Sequence, residues 1–105
     1  MTKTNELVRF NGNVELSGFH NIEEPKNLVI NKIINTYLNK FNTHSDNFEN
    51  LHLRLKPIHG SKKKVELHAK AINNGKVLTS EITDLNLYIA LDKVLKKIQA
   101  EMEKN

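Results

Sequence analysis

An α+β two-layer sandwich with its elements in the order β-α-β-β-β-α follows from three observations. Two stretches carry apolar residues at helical spacing, two hairpins of strict alternation lie between them, and one more alternating stretch precedes the first helix. The predicted architecture is a four-stranded sheet with both helices on one face, because every strand has one apolar side and each helix one apolar stripe. A chain of 105 residues suits a single core of this kind.

Residues 1–11 carry weak patterning and read as a flexible N-terminal arm, with Leu7, Val8 and Phe10 able to extend an edge strand; residues 12–105 read as one domain. The alternation Val14, Leu16, Gly18 predicts the first strand, ended by Gly18 and the polar turn at His20 and Asn21. Glu23-Glu24-Pro25 then marks a helix start, since proline tolerates the first turn and carboxylates suit the positive end of the helix dipole. Its stripe is Leu28, Val29, Ile30, Ile33, Ile34, Tyr37, Leu38 and Phe41, with Asn42 to Asn47 as the closing polar loop.

The segment LHLRLKPIHGSKKKVELHAK holds the second and third strands, with the tip at His59-Gly60-Ser61. Leu51, Leu53, Leu55, Val65, Leu67 and Ala69 point to one side, and His52, Arg54, Lys56, Lys64, Glu66, His68 and Lys70 to the other. Asn74-Gly75 signals a second hairpin through a type I′ turn, which sets Leu67 against Ile82, Ala69 against Ser80, Ala71 against Leu78, His68 against Glu81 and Lys70 against Thr79. The last helix, capped by Thr83 or Asp84, runs through LNLYIALDKVLKKIQAEMEK with Leu87, Ala90, Leu91, Val94, Leu95, Ile98 and Met102 inward. The acidic residue at its start and the lysines in its middle suit the dipole. Phe19 is left unassigned, Tyr37 and Phe41 belong to the core or its boundary, and Tyr88 packs with its hydroxyl at the surface.

The net charge of +4 is uneven. Residues 51–70 hold six lysines and arginines against Glu66 alone, a net of +5, so the remainder of the chain nets −1. Concentrated positive charge points to a polyanion, although a solvated lysine-rich sheet face has the same composition. The chain has no cysteine, hence neither disulfides nor thiolate metal ligands. MTKTNELVRF has no apolar run of signal-peptide length and no segment reaches membrane-spanning length, so a cytoplasmic, soluble protein with no membrane partner is expected. No phosphate loop, nucleophile elbow or acidic pair in an apolar run is present, which argues against an enzyme, a cofactor or a small-molecule substrate.

DLNLYIALDKVLKKI, following the fourth strand, resembles the short ribosome hibernation-promoting factor family, also called ribosome-associated inhibitors. The resemblance is carried by Asn86-Leu87-Tyr88-Ile89-Ala90-Leu91-Asp92 and the apolar-basic run Val94-Leu95-Lys96-Lys97-Ile98, and more loosely extends over Val14 to Lys97. It implies a fold similar to double-stranded RNA-binding domains. It also implies binding to the small ribosomal subunit in the tRNA and messenger channel, blocking translation and protecting idle ribosomes. Lys97, with Lys93 and Lys96, falls where the family motif places basic residues. Gln99, Glu101 and Glu103 depart from the basic continuation of that helix, so a C-terminal contact is expected to be missing, and no second, ribosome-pairing domain is expected.

The candidate RNA-binding residues are therefore Arg54, Lys56, Lys62, Lys63, Lys64 and Lys70, from the patterning, and Lys93, Lys96 and Lys97, from the resemblance. Arg54 leads, because a planar guanidinium can grip phosphate bidentately or stack on a base. The two hairpin registers also set His52, His68 and Glu81 in a row, an arrangement open to zinc, to base or phosphate contact, or to plain surface pairing; no metal site is expected there. A general binder of structured RNA and a protein-interaction module that uses no RNA are the alternative functions.

Overall fold

Four strands form one mixed sheet in which β1 (Val14–Ser17) runs parallel to β2 (Phe48–Pro57), and β2, β3 (Val65–Asn73) and β4 (Lys76–Asp84) form an antiparallel meander. The structure, a computed structural model, describes residues 10, 12–20, 22–57 and 64–104. A parallel pair needs a crossover, and helix α1 (Glu24–His44) supplies it; helix α2 (Leu87–Lys104) follows β4. The predicted fold class and element order are both found.

The sheet's inner face is Val14 and Leu16 of β1, Leu51 and Leu53 of β2, Leu67, Ala69 and Ala71 of β3, and Leu78 of β4. Against it pack Ile30, Ile34, Tyr37, Leu38 and Phe41 of α1 and Ala90, Leu91, Val94, Leu95, Ile98 and Met102 of α2. Every residue of the stripe foreseen for α2 is buried except Leu87, which is partly buried against the same core. Phe19, unassigned from sequence, is buried in the core, and Tyr88 packs at its edge. Truncating a fully buried member such as Leu53 to alanine costs about 2–5 kcal/mol in settings of this kind.

The register of β3 on β4 is the one the Asn-Gly turn requires. Asn74 has φ 55° and Gly75 φ 76°, the paired left-handed conformations of a type I′ turn, with Asn73 facing Lys76 across it. The Asn74 N–H donates to the Asn47 carbonyl at 2.9 Å and the Gly75 N–H to Glu49 Oε2 at 3.0 Å, which ties the turn to the start of β2.

Several boundaries differ from the sequence reading. Helix α1 continues to His44 instead of ending before Asn42, because Thr43 turns its hydroxyl back to the Asn39 carbonyl at 2.8 Å and the Ser45 N–H closes the last turn on Phe41. Val29 faces solvent and Asn31 is buried in its place, a small rotation of the stripe. The cap of α2 is neither Thr83 nor Asp84 but Asn86, whose Oδ1 accepts the Ile89 N–H at 3.1 Å, and the first turn of α2 contains no acidic residue. Phe10 packs against the core; the rest of the proposed arm, the His59-Gly60-Ser61 tip, Lys62 and Lys63 lie outside the described residues.

Two contacts fasten the packing, one between the helices and one between sheet and helix. Tyr37 of α1 donates its hydroxyl to Asp92 of α2 at 2.7 Å, and burial, then this bond and charge, hold the phenol well above its usual range. Ser80 of β4 donates to the Val94 carbonyl of α2 at 2.8 Å. At the end of β1, Gly18 has φ 83° and a Cβ there would lie 2.1 Å from the Leu55 carbonyl oxygen. Gly18→Ala should therefore cost about 2–4 kcal/mol, the left-handed penalty plus the clash, read as a lowered urea midpoint at unchanged slope; a loss below about 0.5 kcal/mol would contradict this packing.

Candidate nucleic-acid interface

Strand alternation turns a second set of side chains to the open face of the sheet, and the pairing arranges them in cross-strand rows. One row is Ser17, Arg54, His68 and Glu81; its neighbour is Glu15, His52, Lys70 and Thr79; a third is Lys56, Glu66 and Thr83. At the far end Ile72 and the exposed Val77 face each other. Arg54 and Lys70 are exposed and Lys56 is half-buried, so three of the foreseen cations share this face. Lys64, immediately before β3, is exposed. Together His52, Arg54, Lys56, His68, Lys70, Thr79 and Glu81 line a shallow depression of about 270 Å³.

This face is not the uniformly basic surface expected from the β2–β3 hairpin alone. Glu15 from β1 and Glu81 from β4 join Glu66, so within the strands three carboxylates stand against Arg54, Lys56 and Lys70. The sequence placed Glu81 correctly but not Glu15, since the parallel docking of β1 on β2 is a long-range pairing. The odd parity of Glu15 and Ser17 beside apolar Val14 and Leu16 was the available signal.

The histidines also regroup. His68 sits opposite Arg54 and His52 opposite Lys70, so the row His52–His68–Glu81 does not form. His52 Nε2 instead meets Ser17 Oγ at 3.0 Å. His68 turns Nε2 to the Glu66 carboxylate on its own strand and Nδ1 to Glu81 Oε1 at 3.1 Å on β4. The hydrogen bond to His68 holds the Glu66 carboxyl below its usual range, against the opposing effect of desolvation, with the charges of His68 and Lys56 adding to it.

The second group of cations lies on α2 beside the β4 edge. Lys93 pairs with Asp84 at 3.4 Å, Lys96 with Asp92 at 3.8 Å, and Lys97 donates to the Glu81 main-chain carbonyl at 3.4 Å. With Ile82 and Ala100 these three lysines border a cleft of about 300 Å³. All three ammonium groups are solvent-exposed, and pairs of this kind are weak enough for a stronger anion to replace them. Glu81 thus links the two groups, its main chain meeting Lys97 and its carboxylate meeting His68.

A helix-backed mixed sheet of four strands, its open face carrying interleaved cations and carboxylates and one edge bordered by the lysines of α2, defines a small α+β domain. The profile of the family described as sigma 54 modulation protein / S30EA ribosomal protein matches residues 19–105, and the chain belongs to that family. Among solved structures, the N-terminal domain of Protein Y from Thermus thermophilus is similar in fold, with TM-score 0.67 and 17% identity over 90% of this chain and 98% of that one. A ribosomal subunit interface protein from Coxiella burnetii gives TM-score 0.60 and 14% identity over 88% of this chain and 94% of that one. No curated protein sequence matches the chain. The match takes in the last-helix motif and most of the looser span, Val14 to Lys97, over which the sequence carries the resemblance, and among the described residues no helix is long and apolar enough to cross a membrane.

Asp84 anchors the edge where α2 begins. The Asn86 N–H holds its carboxyl below the usual range, with burial opposing and the Leu85 N–H and Lys93 assisting. A lowered folded-state pKa means that this stabilisation is present above the unfolded value and lost as pH falls through the folded one. The stability advantage of wild type over Asp84→Asn should hold at neutral pH, narrow as pH falls into the ordinary aspartate range at about pH 4, and close once pH is below the lowered folded value. Denaturant titrations across that range check it, and a gap independent of pH would refute it.

Proposed function

We propose that this protein is a ribosome-associated factor that binds small-subunit ribosomal RNA in the tRNA and messenger channel, inhibiting translation and protecting idle ribosomes in the cytoplasm. The observation that carries the reading is the family match, which runs through the α2 motif and therefore includes Lys93, Lys96 and Lys97. The fold adds support, since a slab measuring 38 × 31 × 18 Å holds these lysines and the sheet-face cations on a rigid frame. Strand neighbours on one face repeat at roughly 7 Å along the chain, close to the spacing of successive phosphates in a nucleic-acid strand.

Each candidate has a distinct part in this reading. Arg54 provides a planar fork for phosphate or a base; Lys56, Lys64 and Lys70 act as point charges; Lys62 and Lys63, outside the described residues, are included as further cations from the sequence alone. Lys93, Lys96 and Lys97 follow the β4 edge, exchanging their carboxylate and carbonyl partners for phosphate oxygens. The RNA is recognised mainly by shape and backbone, with no chemistry performed on it.

Purified small subunits provide the test. The protein should co-sediment with them and compete with tRNA, and preference for free duplex RNA over subunits would replace this reading with a general RNA binder. If about five phosphates are neutralised, affinity should fall with salt at a log-log slope of roughly −4 to −5. Lys93→Ala, Lys96→Ala and Lys97→Ala combined should reduce that slope by about 2–3, and Arg54→Ala with Lys70→Ala by about 2; an unchanged slope removes the corresponding group from the interface.

A further inference from the structure

His68 occupies the centre of the sheet face with a carboxylate at each ring nitrogen, Glu66 at Nε2 and Glu81 at Nδ1. A neutral imidazole donates from one nitrogen and accepts at the other, so only the imidazolium satisfies both carboxylates at once. The other charged or titratable groups around the ring are Lys70 on β3, Arg54, His52 and Lys56 on β2; β4 contributes Glu81 alone, between Thr79 and Thr83. With both imidazoles neutral, the strands' three cations and three carboxylates on this face balance, and the charge state of the ring sets the sign.

We propose that His68 is a pH-operated switch of phosphate binding on this face: as the imidazolium it clamps Glu66 and Glu81 and leaves Arg54, Lys56 and Lys70 to the RNA, and when neutral it frees one carboxylate to compete for those cations. The proposal rests on the RNA-binding reading above and adds its regulation. The direction is set by charge alone, because protonation adds one positive charge to a surface that meets phosphate. Imidazole is the side chain whose ordinary range lies near neutral pH, and on this face His52 shares it with His68; His52, however, meets Ser17 Oγ and not a carboxylate pair, so only His68 can operate the clamp. The lowered pKa of Glu66 keeps its carboxylate available to the clamp throughout that range.

At constant ionic strength, wild-type protein should bind purified small subunits about fivefold more tightly at pH 6 than at pH 8, the effect of one charge near contact distance in water. His68→Gln should abolish that ratio, while His52→Gln should retain it, which separates the clamp from the second imidazole. Glu81→Gln should raise affinity at pH 8 and shrink the ratio. In the free protein, ring-nitrogen NMR should show His68 passing from imidazolium with both nitrogens protonated to a single tautomer over the same interval. Binding that is tight but equal at the two pH values, or a ratio that survives His68→Gln, overturns the switch alone. Absence of binding at both pH values overturns the switch together with the ribosome reading.

Discussion

A strand has a side-chain period of two, and in β3 that constraint leaves no tolerance. Leu67, Ala69 and Ala71 must enter the core while Glu66, His68 and Lys70 must leave it, so a one-residue slip would bury a lysine, a histidine and a carboxylate and expose three apolar groups. The type I′ turn at Asn74-Gly75 selects the register locally, and the core enforces it globally. The cross-strand rows, the depression around Arg54 and the two contacts of His68 all depend on that agreement.

The surface has a different logic from the core. Cations on the open face are matched by carboxylates from three strands, and those of α2 by Asp84, Asp92 and a main-chain carbonyl. Pre-paired lysines of this type keep the free protein from repelling itself and restrain the β4 edge from pairing with another sheet. They also make any anion-binding surface conditional, since a phosphate must compete with partners already present. Affinity for a polyanion then comes from many exchanges made together, with no single pocket dominating.

The fold was largely legible because its signals are local: alternation in β2 to β4, the Asn-Gly turn, and the stripe of α2. What escaped was either terminal or long-range. Asn86 caps α2 although Thr83 and Asp84 are equally good capping types, since the choice depends on where β4 releases the chain. Helix α1 gained three further residues, its end closed by the Ser45 N–H on the Phe41 carbonyl. The site was legible as a set of cations but not as a balanced surface, because Glu15 reaches it only through the pairing of β1 with β2, across a 21-residue helix.

That crossover also gives the sheet an unequal architecture in time. The meander of β2, β3 and β4 is built from neighbours in sequence, whereas β1 has only four residues and returns to β2 after the whole of α1. Closing a long connection on a short strand gains few ladder bonds for its entropy, so β1 is expected to dock last and leave first. Amide protons should accordingly exchange fastest at β1 and slowest in β3, whose two neighbours both belong to the meander whereas β2 borders β1, and a uniform profile would deny this order. The sheet is thus built unevenly, with a short margin at β1 joined through a crossover and a margin at β4 braced by α2.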